Sequence, residues 1–221
     1  MSLLSRILDL LFPPRCPFCG ALLDHSLPGP CPRCEAADLW FPPGQGVFPG
    51  QAFSRCVCVG WYRDFLRESI LQFKFHNHPK YARAYGPMLA KAIRTYLPGT
   101  YDCITWAPVS SVTLKSRGYD QARLLAEATA EALNTQALPL LEKKKHNLPQ
   151  SSLQSGRQRW ANVAGVYTVP HPEQVQGRRI LVIDDILTTG ATLEECAKTL
   201  RNHGATQVVA ATFCKTPEKI P

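Results

Sequence analysis

The stretch from Ile180 to Leu193 constrains the fold more than any other part of the chain. It opens with four branched apolar residues in a row, a pattern typical of a strand that is buried on both faces of a parallel sheet. Two carboxylates follow, then a loop rich in threonine, and then apolar residues at helical spacing that stop near Gly204. A second apolar run, from Gln207 to Phe213, completes the pattern. Together these features predict a βαβ unit within an α/β fold.

The loop between the predicted strand and helix has the residue types of an anion-binding site. A helix N-terminus attracts phosphate through its unpaired backbone N–H groups and its dipole, and a glycine lets the backbone approach closely. The adjacent carboxylates are suited to accept hydrogen bonds from sugar hydroxyls or to hold a hydrated magnesium ion. An ordinary strand–turn–helix connection is the alternative. The predicted binding residues are Asp184, Asp185, Thr188, Thr189, Gly190, Ala191 and Thr192.

Four cysteines near the N-terminus form two Cys-x-x-Cys turns, at 16–19 and at 31–34. Each turn directs two thiolates at one point, and two such turns complete the tetrahedral set that zinc accepts from four sulfurs. Redox-active pairs are the alternative, but tandem copies in a loop-rich segment favour a closed structural site. We therefore predict a structural zinc ion held by Cys16, Cys19, Cys31 and Cys34.

The segment from Pro42 to Gly50 is rich in proline and glycine, which is typical of a linker. We therefore predict a zinc-finger module over residues 1–50 and an α/β domain over residues 51–221. Arg6 and Asp9 interrupt the apolar N-terminal residues, which are far fewer than the ~20 that a membrane span needs. The odd total of nine cysteines suits a reducing compartment. We expect a cytoplasmic protein without a membrane span.

A first cluster of cations follows the strand predicted at residues 103–106. Lys115 and Arg117 lie between this strand and a predicted helix, and their charges are suited to a diphosphate group. A solvated basic turn is the alternative interpretation.

A second cluster of cations lies in the long polar stretch that begins at Lys143. A loop of this length in a compact domain is typically a lid or a binding loop, with a disordered solvated loop as the alternative. Its cations suit a leaving diphosphate or a nucleic-acid backbone, and Trp160 is available to stack on a base. The net charge of +8 also favours anionic partners. The candidate nucleic-acid contacts are Lys143, Lys144, Lys145, Arg157 and Arg159.

The segment from Asp184 to Thr192 resembles the ribose-phosphate signature of type I phosphoribosyltransferases. The resemblance implies that the acidic pair contacts the ribose 2′ and 3′ hydroxyls and that the threonine-rich loop holds the 5′-phosphate of phosphoribosyl diphosphate. Lys115 to Gln121 resembles the segment that holds the diphosphate in the same superfamily. Thr188 stands where purine-salvage members often carry an aspartate base, which makes purine salvage an unfavoured activity for this chain.

The chain as a whole resembles the ComF family of competence-related proteins. The matching segments are Leu11–Pro14, Phe73–Phe75, Lys115–Gln121, Pro149–Asn162 and Asp184–Thr192. The resemblance implies a type I phosphoribosyltransferase-like parallel sheet flanked by helices, behind an N-terminal zinc finger. It also implies a role in DNA uptake, with single-stranded DNA, a helicase-like protein and recombination proteins as partners.

Two hypotheses about function stay open. In the first, the chain binds phosphoribosyl diphosphate or a nucleotide, together with single-stranded DNA, in DNA uptake. In the second, it is a magnesium-dependent phosphoribosyltransferase that acts on an unidentified nitrogen acceptor, although no residue stands out as the general base. The label amidophosphoribosyltransferase, common in this family, is not expected to apply, because the sequence has neither a glutaminase domain nor an N-terminal cysteine nucleophile.

Overall fold

The computed structural model describes residues 13–23, 29–144, 160 and 162–217. Within these ranges, β2, β7, β6 and β3 form a parallel sheet with β1 antiparallel at its edge, in the order β1–β2–β7–β6–β3. A separate antiparallel ribbon pairs β4 with β5. This arrangement confirms the predicted parallel α/β sheet. The strands are β1 (Val47–Phe48), β2 (Cys56–Trp61), β3 (Cys103–Trp106), β4 (Glu142–Lys143), β5 (Tyr167–Thr168), β6 (Arg179–Leu187) and β7 (Gln207–Lys215).

The described helices differ widely in length and lie on both faces of the sheet. They are α1 (Pro32–Glu35), α2 (Asp64–Phe75), α3 (Ala82–Tyr96), α4 (Ser111–Arg117), α5 (Gln121–Ala132) and α6 (Ala191–Asn202), with 3₁₀ turns at Pro79–Tyr81 and Pro172–Gln174. Among these described helices, none combines the length and the apolarity needed to cross a bilayer.

The sheet separates two apolar cores. One face carries Leu181 and Ile183 of β6 and is covered by α2, α3 and α5. The opposite face carries Ile180 and Val182 and is covered by α6 and the β4–β5 ribbon. All four side chains have no exposed surface, as predicted for a strand that is buried on both faces. Polar residues of β6 are therefore confined to its two ends.

The four-cysteine segment packs into the first core. Phe18 lies inside the first Cys-x-x-Cys turn, yet its side chain is only 6% exposed. Its ring contacts those of Trp40, Phe65, Tyr85 and Phe213 at centroid separations of 5.3 to 6.3 Å. The cysteine turns and the sheet therefore share one cluster of aromatic side chains.

Hydrogen bonds hold the same segment against the helices. The hydroxyl of Ser69, on α2, donates to the carbonyl of Pro17 and contacts the hydroxyl of Tyr85. The indole N–H of Trp40 donates to the carbonyl of Cys34 at 2.7 Å. Because these contacts join the cysteine turns to α2 and α3, the turns stabilise the helical layer above the sheet.

The segment from Pro42 to Gly50, predicted to be a linker, runs along the outer edge of the sheet and includes β1. The N–H of Cys58, on β2, donates to the carbonyl of Gly46 at 2.8 Å, and the N–H of Gly44 donates to the hydroxyl of Tyr96 at 2.9 Å. The module boundary at residue 50 stays a prediction.

Phe18→Ala should lower the free energy of unfolding by about 3 kcal/mol or more, because it leaves a cavity among four aromatic rings. Urea denaturation of the metal-loaded protein measures this change. Leu22→Ala is the matched control, since Leu22 lies three residues beyond the same turn but is 59% exposed, and it should change stability by at most about 0.5 kcal/mol. Equal losses in the two variants would contradict the shared core.

Candidate functional site

Three segments meet at the carboxyl edge of the parallel strands, where open α/β sheets bind ligands. The first is the loop from β6 to α6, which carries the predicted phosphate-binding residues. The second follows β3 and runs through α4 to the start of α5. The third is the last turn of α2, with the sequence Phe73-Lys74-Phe75. The contacts between these segments define the site.

Gly190 sets the geometry of the β6–α6 loop. It is the N-cap of α6 and has a φ of 80°, in the left-handed region that favours glycine. Its carbonyl accepts the first helical hydrogen bond, from the N–H of Glu194 at 2.9 Å. Such a helix start presents its first backbone N–H groups to a ligand. A small hollow at this point is lined in part by Asp184, Thr188 and Thr192.

The predicted loop residues therefore lie together. Thr188, Thr189 and Thr192 are half-buried, whereas Ala191 is buried. The hydroxyl of Thr189 is 3.5 Å from the N–H of Ala191 and accepts a weak hydrogen bond from it. The loop thus combines hydroxyl groups and the start of a helix within one turn of chain.

The carboxyl of Glu194 anchors the first turn of α6 to the segment before β2. It is 7% exposed and accepts hydrogen bonds from the N–H groups of Gln51 and Ala52, each at 2.6 Å. A carboxylate in the first turn of a helix is also stabilised by the helix dipole. The sequence pattern did not single out this residue, because its partners lie more than 140 positions away.

The two adjacent acids of β6 face different surroundings, as consecutive strand residues do. Asp185 pairs with Lys74: the Nζ and Oδ2 atoms are 2.7 Å apart, and the side chains are 20% (Lys74) and 8% (Asp185) exposed. Asp184 accepts a hydrogen bond from the N–H of Asp185 at 2.9 Å. It interacts electrostatically with Lys143, Tyr167 and Cys196 on the α6 side of the sheet.

Burial raises the pKa of Asp184 to about 8, and the neighbouring charge of Asp185 adds to this shift. Lys74 and the hydrogen bond from the N–H of Asp185 act in the opposite direction. The raised pKa favours the neutral form of Asp184, whereas Asp185 forms the ion pair with Lys74.

Arg117 and Tyr119 connect the loop after β3 to the end of α2. The guanidinium of Arg117 lies 4.8 Å from the centroid of the Phe75 ring, in a cation–π contact. Burial lowers the pKa of Arg117, and nearby Asp185 opposes this shift. The hydroxyl of Tyr119 donates to the carbonyl of Phe73. The residues on both sides of Lys74 thereby contact the segment after β3, Phe73 through its backbone and Phe75 through its side chain.

Asp120 organises the same loop. Its carboxylate caps α5 by accepting from the N–H of Arg123 at 3.1 Å, and it accepts from the N–H of Val109 at 3.0 Å. Burial raises the pKa of Asp120, while these two N–H groups lower it. Both of these hydrogen bonds come from backbone N–H groups, so this carboxyl stabilises the loop.

The other predicted cations occupy different positions. Lys115 and Lys144 are exposed. Lys143 is half-buried, with its Nζ atom 5.6 Å from the centroid of the Tyr167 ring. Burial lowers the pKa of Lys143, and electrostatic interactions with Cys196 and Asp184 oppose this change. Lys145, Arg157 and Arg159 lie outside the described residues.

Lys74 is a site residue that only the family resemblance placed at the edge of the pocket, and it is absent from the predicted binding residues. The pattern Phe73-Lys74-Phe75 belonged to the resemblance, but nothing in its spacing placed an ammonium beside Asp185. Only the folded position of α2 reveals the ion pair.

The cysteine turns form a candidate metal centre, separate from this edge of the sheet. The Sγ atoms of Cys16, Cys19, Cys31 and Cys34 lie within 4.8 Å of one another. Sulfurs at about 2.3 Å from a tetrahedral metal are roughly 3.8 Å apart, and the Cys19 and Cys31 sulfurs are separated by 3.6 Å. A disulfide needs about 2.05 Å, so the geometry fits a metal ion.

The thiols of this cluster have opposed proton affinities. A hydrogen bond from the N–H of Cys34 lowers the pKa of Cys31 to about 7. Burial raises the pKa of Cys34 instead, and the neighbouring sulfurs add to that shift. Because four thiolates at this distance repel one another, a bound cation is what would stabilise all of them together.

Comparison with known proteins identifies the family. The model of the phosphoribosyl transferase domain matches residues 76–221, which is more than half of the chain. Competence protein F of Haemophilus influenzae is 26% identical over 215 residues, which cover 88% of this chain and 93% of that protein. The DNA utilization protein YhgH of Salmonella typhi is 30% identical over 213 residues, covering 91% and 84%.

The chain belongs to the ComF family. Competence protein ComFC of Streptococcus pneumoniae is 26% identical over 179 residues. The matched residues cover 80% of this chain and 72% of that protein. The predicted type I phosphoribosyltransferase-like fold is confirmed, and the cysteine cluster lies in the N-terminal position expected of ComF members.

Asp184→Asn should stabilise the free protein more at pH 8 than at pH 5. The pKa of Asp184 is raised from 3.8 to about 8 on folding, so the stability associated with its neutral form is complete below pH 4 and is lost as the pH rises towards 8. Thermal unfolding in magnesium-free buffer, from pH 5 to pH 8, measures the difference. It should grow by up to roughly 1 kcal/mol per pH unit. A difference that does not vary with pH would contradict the burial of this carboxyl.

Proposed function

We propose that the carboxyl edge of the sheet binds a ribose 5-phosphate ester, either phosphoribosyl diphosphate or a nucleotide, in a protein of DNA uptake and utilisation. The observation that carries this proposal is the helix start at Gly190, which lines one hollow together with Asp184 and follows the Asp184–Asp185 pair along the chain. The helix start suits the 5′-phosphate, and Asp185 suits the sugar hydroxyls. The family match supports the same ligand class.

The cations around this edge support an anionic ligand. Lys74, Arg117 and Lys143 all interact electrostatically with Asp184 or Asp185. A diphosphate attached to the ribose would be attracted by Arg117 and by the exposed Lys115. Magnesium bound with the diphosphate would neutralise part of its charge. Asp184 and Asp185 would steer such a hydrated ion, whose charge would favour the ionised form of Asp184.

Binding is favoured over catalysis by the state of the acids in the described part of the chain. Asp120 is engaged by two backbone N–H groups, Asp185 is paired with Lys74, and the raised pKa of Asp184 favours its neutral form. None of these three is a free carboxylate of the kind that general base catalysis requires. A phosphoribosyltransferase reaction on a nitrogen acceptor is therefore the second candidate.

A role with DNA is supported by the names of the relatives, competence protein F and DNA utilization protein. The exposed Lys144 and the Trp160 side chain, which is 42% exposed, flank the stretch that carries the predicted nucleic-acid contacts. Single-stranded DNA, a helicase-like protein and recombination proteins stay predicted partners.

Gly190→Ala should weaken binding of phosphoribosyl diphosphate with magnesium by about tenfold or more, because a side chain at this left-handed position distorts the loop that receives the 5′-phosphate. Titration calorimetry measures the affinity. Gly177→Ala is the matched control: Gly177 also has a positive φ, of 75°, with open space around it, and it lies at the opposite end of β6. Equal affinities for the two variants would contradict the assigned phosphate loop.

The same titrations with single-stranded DNA test the ligand assignment. The proposal expects binding of the sugar ester with a dependence on Asp185. A protein that binds single-stranded DNA with a steep salt dependence, and no sugar ester, would overturn it.

We propose that the cysteine centre holds zinc, since four sulfur ligands in a closed set are typical of structural zinc. Elemental analysis should find one zinc per chain, and Cys34→Ser should lose most of it. The variant should also unfold at a lower temperature, because the cysteine turns share the aromatic core. Cys103→Ser, at a buried cysteine far from the cluster in sequence, should retain the metal. Full occupancy in Cys34→Ser would contradict the assignment.

A further inference from the structure

The ion pair between Lys74 and Asp185 involves the acid that the proposed function assigns to the sugar hydroxyls. Within the described residues, Lys74 makes the one ion pair to this carboxylate, at 2.7 Å. The cation is therefore contributed by a helix that neither the family model, which starts at residue 76, nor the predicted site includes.

Lys74 is held in place by its neighbours. The carbonyl of Phe73 accepts a hydrogen bond from the hydroxyl of Tyr119, and the ring of Phe75 lies against the guanidinium of Arg117. Because both flanking residues are tied to the loop after β3, the backbone of Lys74 is fixed between that loop and β6. The entropy cost of forming the ion pair is therefore limited to the side-chain torsions of Lys74, because its backbone is already ordered.

The acids and cations at this edge of the sheet interact with one another, and these interactions define the role of Lys74. Asp120, Asp184 and Asp185 interact with one another and with Lys74, Arg117 and Lys143. Lys74 is the one of these cations that forms an ion pair with Asp185, so removing it leaves that carboxylate without an ion-pair partner among the described residues. A carboxylate that is 8% exposed and unpaired would repel a phosphate ester nearby.

We propose that Lys74 is a positioning residue that acts as the internal counter-ion of Asp185, so that the protein binds a ribose 5-phosphate without a divalent cation. The ammonium neutralises one oxygen of the carboxylate and leaves the other, Oδ1, available to a sugar hydroxyl. This inference rests on the proposed function of the site. It adds that magnesium is required for binding the diphosphate of the ligand, whereas the acids that bind the ribose do not require it.

Titration of ribose 5-phosphate tests the proposal in two buffers, one free of magnesium and one containing it. The wild-type protein should bind with similar affinity in both. Lys74→Met should lose about tenfold or more in magnesium-free buffer, since an unpaired carboxylate then faces the ligand, and magnesium should restore most of the loss. Lys91→Met removes the same charge from an exposed position on α3 and should leave both affinities unchanged.

The double variant Lys74→Met/Asp185→Asn separates a counter-ion from a direct ligand contact. It removes both charges, so it should bind ribose 5-phosphate in magnesium-free buffer more tightly than Lys74→Met does. It also keeps the test informative where the single variant folds poorly, because no buried charge is left unpaired.

Any of three results would overturn the inference alone. The wild-type protein could need magnesium to bind ribose 5-phosphate, or Lys74→Met could keep the wild-type affinity in magnesium-free buffer. The third result is a loss of affinity in Lys74→Met that is restored neither by magnesium nor by adding Asp185→Asn. A wild-type protein that binds neither ribose 5-phosphate nor phosphoribosyl diphosphate in either buffer would instead overturn the proposed function, and the inference with it.

Discussion

The burial of β6 on both faces is the constraint from which the rest of the structure follows. Four consecutive apolar side chains without exposed surface require a covered layer on each side of the sheet. The polar residues that continue this strand, Asp184 and Asp185, consequently emerge together where the covering ends. One falls towards α6 and the other towards α2. Burial and the charge of Asp185 raise the pKa of Asp184, whereas Asp185 forms the ion pair with Lys74.

The fold and the geometry of the β6–α6 loop could be predicted because their signals are local. Branched apolar residues, two acids, a glycine and a helical spacing lie within a single stretch of sequence, and the structure reproduces each of them in order. The tandem Cys-x-x-Cys turns are local in the same sense, since each places two sulfurs by the geometry of one turn.

The contacts that complete the site could not be predicted because they join distant segments. Lys74 reaches Asp185 across more than a hundred positions, and Glu194 binds Gln51 and Ala52 over a similar distance. The same limit applies to Phe18, whose neighbours in the sequence are the candidate metal-binding cysteines but whose neighbours in space are aromatic rings of the helical layer and β7. Such pairings depend on topology, which no single stretch of sequence encodes.

The position of Phe18 has a consequence for how the protein can be divided. A chain starting at residue 51 would keep every strand from β2 onwards, but the rings of Tyr85 and Phe213 would lose the aromatic partner that covers them. Exposed aromatic surface of this kind promotes self-association. We therefore expect the isolated phosphoribosyltransferase-like part to be poorly soluble, although it retains the entire ribose-phosphate loop.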